Sequence, residues 1–344
     1  MSEIRYNKAI VKNINESLIR RCLQGAGSFT KTKIARETGL SFPTVSRILD
    51  EMTERGEILG GGIDPTTGGR HAQSYVLNPD FAYVLCIYFP QPTCMRLLMI
   101  NSLGEVSERE DIPVASRTEG VKETMDRVIA EKMLSHSVKA ISIGLPWGVS
   151  QGKILFGAKD TGLENYPLEA HLIEKFGISA RVENDMNAAA AGCYTRMFGK
   201  DEKISLACIS VTTAGCGCGL FVRGHLVRGQ HGFAGELLYM AASPEQNMRE
   251  SFHKIRDEGA DASRSIAQMV SGICATVDPA YIVFYHRDDL PQNMKKIEDL
   301  CRIYLPEEVV PNLIQADSYE QDQENGLISF GMDLLLAGYE IINR

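Results

Sequence analysis

Over the first fifty residues the apolar positions recur with a helical period. Between Lys8 and Leu23, Ile10, Ile14, Leu18 and Cys22 fall four apart, which predicts an amphipathic helix that buries this face. Ser28 and Thr30 offer N-caps for a second helix over Lys31–Thr38, with Ile34 and Ala35 inward. Gly39-Leu40-Ser41 breaks the pattern. Gly39 suits the left-handed position that ends a helix, and Ser41 can cap the next one. That third helix is predicted over Pro43–Arg55, with Val45, Ile48, Leu49 and Met52 as its buried stripe and Gly56 as its stop.

A short helix, a tight turn and a helix opening with small polar residues make a helix-turn-helix pattern. Ser41, Thr44, Ser46 and Arg47 project from the half of the third helix that reaches base edges in a major groove. Lys31 and Lys33 are placed to meet phosphates, which position a protein without reading sequence. Glu57-Ile58-Leu59 and Gln73–Leu77 read as strands flanking the glycine-rich turn Gly60–Arg70, a wing whose Arg70 can enter a minor groove or bridge phosphates. Heads of this kind also serve protein contacts alone, so that alternative stays open.

Beyond Asn78-Pro79-Asp80 the pattern changes to apolar strands, at Tyr83–Tyr88 and Met95–Asn101, with a third at Glu105–Pro113. A helix over Gly120–Ser135 and a strand over Ala140–Leu145 follow. The second half repeats the plan. Strands Ile204–Val211 and Cys218–Val222 flank a glycine-rich loop; helix Ile266–Thr276, strand Tyr281–Tyr285 and a closing helix Ile328–Tyr339 come after. This order predicts an α/β layered body.

Charge supports the division. The net charge is −8, but residues 1–78 hold 11 Lys/Arg and 8 Asp/Glu (+3) while the remainder holds 25 and 36 (−11). A mildly basic head on an acidic body suits a short DNA-contacting module carried by a domain with another task. The 344 residues suit two or three domains, here 1–78, 79–200 and 201–344. A composition with 44% hydrophobic and 23% charged residues is that of a globular protein with real cores. No N-terminal leader is recognisable and no apolar run nears the roughly 18–20 residues of a membrane span, so the expected compartment is the cytoplasm. Nine cysteines without a spacing framework fit a reducing compartment and read as small core residues.

Several motifs together resemble the repressor–ORF–kinase (ROK) family. They are the head Leu40-Ser41-Phe42-Pro43-Thr44-Val45-Ser46-Arg47, the wing Gly68-Gly69-Arg70, and Leu145-Pro146-Trp147-Gly148. Val182-Glu183-Asn184-Asp185-Met186-Asn187-Ala188-Ala189-Ala190, Arg228–Glu236 and Asp278–Val283 continue the series in the same order. The resemblance spans nearly the whole chain. It implies a winged helix-turn-helix joined to a two-lobed, actin-like, sugar-kinase (ribonuclease H-like) fold. It also implies that Asn184 and Asp185 hold sugar hydroxyls, that Glu236 accepts another, and that Tyr239 stands where the family has a histidine touching sugar and zinc. Asp185 has a second reading as a helix N-terminal carboxylate, and both can hold at once.

Departures from the family pattern define the expected activity. Ala241–Ile273 contains no cysteine, so the family's zinc site, which needs about four N/S ligands, is lost. Cys216-Gly217-Cys218 has no partner pair at metal spacing and is no replacement. The first strand ends Phe89-Pro90-Gln91-Pro92-Thr93 without the acidic residue that helps hold magnesium in the kinases, and its prolines remove amide donors. Thr212–Gly217 keeps glycines but lacks the family's usual Gly-Thr-Gly start. The reading is therefore a non-enzymatic regulator without cofactor or metal. It would bind a palindromic DNA operator as a homodimer or higher homo-oligomer, repress carbohydrate-utilisation genes and sense a small carbohydrate. The alternatives are a sugar-blind regulator whose body serves dimerisation or protein docking, and an active sugar kinase with a vestigial head.

Overall fold

The computed structural model describes residues 8–26, 28–63, 73–114, 120–199, 203–212, 215–259, 261–286 and 293–337. The head comprises α1 (Lys8–Ala26), β1 (Phe29–Thr30), α2 (Lys31–Thr38), α3 (Phe42–Glu54), β2 (Ile58–Ile63) and β3 (Gln73–Leu77). Its strands pair in the order β1-β3-β2. Ile19, Leu23, Ile34, Val45, Ile48, Leu49, Met52, Ile58, Tyr75 and Leu77 form one buried cluster.

The body opens with β4 (Tyr83–Gln91), β5 (Cys94–Ile100), β6 (Val106–Pro113), α4 (Val121–Ser135), β7 (Val138–Leu145), β8 (Gly148–Ser150) and β9 (Lys153–Phe156). Then come α5 (Leu168–Phe176), β10 (Ser179–Asn184), α6 (Asp185–Phe198), β11 (Leu206–Thr212), β12 (Gly215–Val222) and β13 (His225–Val227). The chain continues through β14 (Ala241–Ser243), β15 (Gln246–Asn247), α7 (Met248–Glu258), α8 (Ser263–Val277), β16 (Tyr281–Tyr285), α9 (Met294–Tyr304), β17 (Asn312–Ala316) and α10 (Tyr319–Ala337). Two five-stranded sheets result, ordered β10-β7-β4-β5-β6 and β13-β12-β11-β16-β17. In each, an antiparallel meander meets parallel strands, as at β4 with β7 and β11 with β16. Parallel neighbours need a crossover, and helices supply it.

The chain divides into two compact units. One takes Met1–Ile143, Glu169–Arg181 and Ile328–Arg344; the other takes Gly144–Leu168 and Val182–Leu327. In the first unit the head shares packing with the body: Leu103, in the β5–β6 turn, packs against the head's core cluster. Arg21 of α1 pairs with Asp333 of α10 at 3.0 Å. The core of the second unit runs from Ile209 and Val211 through Ile266 and Val270 to Phe284.

One expectation is overturned. Ile10, Ile14 and Leu18 are 44%, 46% and 39% exposed, and α1 instead buries Glu16, Ile19, Arg20 and Leu23. The buried face escapes a hydrophobicity count because half of it is charged. Arg20 bonds Glu57 and Glu16, and Arg55 bonds both glutamates, so two cations and two anions close a neutral network. Charges leave water only on such terms.

In the second unit α6 and α10 approach backbone to backbone. A Cβ on Gly192 would lie 1.9 Å from the Asp322 carbonyl oxygen, and one on Gly326 would lie 1.9 Å from that of Ala188. Replacing Gly192 with alanine forces these helices apart. We expect Gly192→Ala to lower unfolding stability by about 1–3 kcal/mol, read from urea denaturation; an unchanged midpoint contradicts the contact.

Candidate functional site

The head presents one polar helix face. Thr30 Oγ1 caps α2 by accepting from Lys33 N at 3.3 Å, and Gly39, at φ 71°, ends it. Ser41 Oγ caps α3, accepting from Thr44 N at 3.4 Å. Because Val45, Ile48, Leu49 and Met52 face the core, Ser41, Arg47 and Asp50 are turned to solvent. Thr44 and Ser46 are half-buried beside them. Lys31 Nζ donates to Ser46 Oγ and to Asp50 Oδ1, both at 2.8 Å, and so braces α2 against α3. Burial works against its charge, but the bonds to Asp50 prevail and the ammonium is pushed up. The Lys33 ammonium lies 3.8 Å from the centre of the Phe29 ring, and Arg47 pairs with Glu51. Arg70 lies outside the described residues.

Phe42, three residues before Val45 and seven before Leu49, is in phase with the buried stripe, yet it is 52% exposed on the first turn of α3, which the periodicity alone does not reveal. Farther along the same face Asp50, Glu51 and Glu54 are acidic, which confines any approach to a phosphate backbone to the first turns of the helix.

The second cluster lies at the start of α6. Asn184 Oδ1 caps this helix, accepting from Met186 N at 2.9 Å and Asn187 N at 3.2 Å, while its Nδ2 donates to the Trp147 carbonyl at 3.1 Å. Asp185 Oδ1 accepts from Met186 N at 2.7 Å and Oδ2 from the Tyr319 hydroxyl at 3.0 Å. Asp185 thus sits on the helix terminus, half-buried with polar company. Behind it, buried Glu183 accepts from Asn187 Nδ2 at 2.9 Å and from Arg228 Nε at 2.7 Å, and also takes the Asn184 amide at 3.2 Å. Glu183 and Arg228 set the backbone that aims Asn184, a support that the linear motif did not reveal.

Glu236 reaches the same cluster from the other motif. Gly235, at φ 91°, has no room for a Cβ, which would lie 2.1 Å from the Cys218 carbonyl oxygen. Only glycine lets the chain turn there and bring Glu236 up. Burial pushes the Glu236 carboxyl above its ordinary range and the nearby Asp185 charge adds to it, with Arg249 opposing. Tyr239 follows in a short 3-10 turn, Leu237–Tyr239, and joins an aromatic wall. Its ring lies 5.0 Å from that of Phe233 and 6.4 Å from that of Phe156, and the Arg249 guanidinium sits 4.6 Å from its centre. Phe233 and Tyr239 are 44% and 42% exposed. Acceptors for hydroxyls beside exposed rings can hold a small polyol with one apolar face.

At the position of the kinases' first phosphate turn, Gln91 pairs with Cys94 across a tight β4–β5 hairpin. Thr212 pairs with Gly215 across the second, whose residues 213–214 lie outside the described ones. Seven cysteines are buried and Cys22 and Cys94 are partly so; all nine are free thiols. No metal-holding group of His, Cys, Asp and Glu occurs among the described residues. No helix among them is long and apolar enough to cross a membrane.

The sequence model of the ROK family matches residues 92–249. The chain is 27% identical over 243 residues to the xylose repressor of Caldicellulosiruptor bescii, covering 67% of this chain and 59% of that protein. It is 25% identical over 246 residues to the DNA-binding transcriptional dual regulator NagC of Escherichia coli, covering 69% and 60%. It thus spans about six tenths of the length of these relatives. Among solved structures, a ROK family transcriptional regulator homologous to the E. coli MLC protein superposes with a TM-score of 0.68 at 16% identity, over 95% of this chain and 98% of that one. The ROK hexokinase of Thermus thermophilus gives 0.59 at 19% identity, over 74% and 100%. The fold is therefore the ROK sugar-kinase-like fold with an N-terminal helical head.

The coupling of the two carboxylates is measurable. Because an ionised Asp185 disfavours ionisation of Glu236, Asp185→Asn should lower the Glu236 midpoint, leaving it above the ordinary value through burial alone. The raised group stabilises the fold fully below its unfolded midpoint and loses that contribution as pH rises through the folded one. Carboxyl carbon NMR titration reads this directly, and a Glu236 midpoint unmoved by the substitution contradicts the proximity.

Proposed function

We propose that this chain, which carries a ROK family domain, works as a DNA-binding transcriptional repressor of carbohydrate-utilisation genes, with a body that senses a small carbohydrate and does not catalyse. The observation that carries the reading is the head: a Gly39-terminated helix, a tight turn and a Ser41-capped α3 whose polar face is turned outward. The similarity to a xylose repressor and to the DNA-binding dual regulator NagC supports it. Residues 1–78 form the DNA-contacting domain, and the rest of the chain forms the sensing body, whose two compact units exchange segments and do not part at a single point near residue 200. Ser41, Thr44 and Arg47 read bases, together with Ser46 as positioned by Lys31. Lys33 and Arg70 meet phosphates. Asn184, Asp185, Glu236 and Tyr239 hold the sugar, with Phe233 as a stacking partner. A homodimer on a palindromic operator, in the cytoplasm, completes the proposal.

Two features support a body that does not transfer phosphate. The first-strand turn offers no carboxylate for magnesium, and Pro90 and Pro92 present no N–H to a phosphate. In-line phosphoryl transfer depends mainly on held metal and positioned phosphate. Incubation with ATP, magnesium and a panel of hexoses and pentoses should release no sugar-dependent ADP; turnover abolished by Asp185→Asn overturns this part.

For the head, selection of bound duplexes from a random library supplies the operator. Arg47→Ala should then lower the ratio of specific to non-specific affinity by about 1–3 kcal/mol, while Lys33→Ala should weaken both alike and reduce the salt slope by about one. Equal effects of the two changes contradict the roles given. Phe42 is suited to an apolar contact with a thymine methyl. Uracil for thymine in the operator should weaken the wild type at one position or more and leave Phe42→Ala unaffected there.

A further inference from the structure

We propose that Tyr319 is the residue through which occupancy of the Asp185 carboxylate is passed to the DNA-binding head, with α10 as the connecting rod. The inference rests on the sensing function just proposed and adds the residue and element that carry the signal.

At its first residue, α10 bonds the pocket: the Tyr319 hydroxyl donates to Asp185 Oδ2 at 3.0 Å. A sugar hydroxyl donated to the same oxygen competes with Tyr319 for direction and for lone pairs, so ligand and tyrosine are coupled at one atom. The tyrosine ring has a fixed seat, lying 5.2 Å from that of Tyr285 with the planes at 74°. The next turns of α10 are bolted to α6, the helix that begins with Asp185. Arg196 grips fully buried Asp322 with two bonds, at 2.7 and 2.8 Å, and the Tyr285 hydroxyl donates to the same carboxylate at 3.1 Å. Gly192 and Gly326 allow the backbone contact that a single methyl would block. A displacement at Asp185 is thus not absorbed by side chains; the packed pair has to answer as a body.

The remainder of α10 belongs to the first unit and makes different contacts. Gly331 is pressed on Val84 of β4, where a Cβ would come within 2.3 Å of a side-chain carbon. Asp333 pairs with Arg21 of α1 at 3.0 Å. Leu335 and Leu336 line a small cavity together with Arg20, Glu57 and Leu77 of the head. Arg20 and Glu57 are members of the neutral network that also holds Arg55, the residue closing α3. One helix therefore carries the partner of the pocket carboxylate at its start and the partners of the head's buried ion network at its end.

Tyr319→Phe keeps the ring and removes only the hydroxyl; Arg21→Ala removes the ion pair at the far end and leaves the contacts of Gly331, Leu335 and Leu336. Hydrogen exchange on the full chain, without added sugar, is the first test. Tyr319→Phe should speed exchange of amides in 328–337 and in α1 by a factor of about three or more, the scale of one net hydrogen bond. A change confined to residues near 185 and 319 overturns the proposal. The second test titrates D-xylose and N-acetylglucosamine into a complex with fluorescent operator duplex. The wild type should change DNA affinity by about tenfold or more with whichever sugar binds. Tyr319→Phe should lose that response and Arg21→Ala should weaken it, while fluorescence of Trp147, the chain's one tryptophan, still reports sugar binding to Arg21→Ala. A full response in both variants overturns the role of α10. A wild type whose DNA affinity ignores every sugar defeats the sensing function instead, and the exchange comparison still decides whether α10 links the two ends.

Discussion

The backbone contact between α6 and α10 is the constraint on which the candidate ligand site rests. Gly192 and Gly326 leave no space between the helices, and the two bonds from partly exposed Arg196 to fully buried Asp322 fix their register. Sliding either helix would leave the Asp322 carboxylate buried without its cation, which is costly. Asp185 stands at the start of one helix and Tyr319 at the start of the other, and the register alone brings carboxylate and hydroxyl to 3.0 Å. The polar start of α6 is therefore a fixed feature of the unit's core and not an adjustable loop.

The head is held by a comparable device. Its apolar cluster packs α1, α2 and α3 together, and α1 is tied further by charges: Glu16, Arg20, Arg55 and Glu57 form a largely buried network of two cations and two anions. Such networks stabilise less than an apolar core of equal volume but specify one arrangement more sharply. Leu103 in the same core makes the head and the β5–β6 turn share one packing surface.

The parts of this design that follow a simple periodicity were legible in the sequence. The stripe Val45, Ile48, Leu49 and Met52 gave α3 within a residue at each end, and the caps Thr30 and Ser41 and the stop Gly39 act as their residue types suggest. The apolar pattern starts the closing helix only at Ile328, nine residues after its actual start, because Tyr319–Leu327 is rich in Glu, Asp, Gln and Asn. Asp322, Gln323 and Glu324 are nonetheless buried, and the cation that pairs with Asp322 comes from Arg196, which only the tertiary fold brings near. In α1 likewise, Ile10, Ile14 and Leu18 follow the helical period but stay exposed, because the salt-bridged face is the buried one. In the ligand cluster, the motif located Asn184, Asp185 and Glu236. The supports Glu183–Arg228, the wall of Phe156 and Phe233, and the Tyr319 bond join residues 45 to 134 positions apart, a separation no local pattern encodes.

The most direct test of a body that senses for a head that binds DNA is reciprocity. If sugar alters the affinity for operator by some factor, operator must alter the affinity for sugar by the same factor. Sugar affinity, read from Trp147 fluorescence on the full chain with and without saturating operator duplex, is the measurement. The expected result is a shift of about tenfold between the two titrations, equal in size to the shift in DNA affinity. Identical sugar titrations with and without duplex, for a sugar that binds, contradict it.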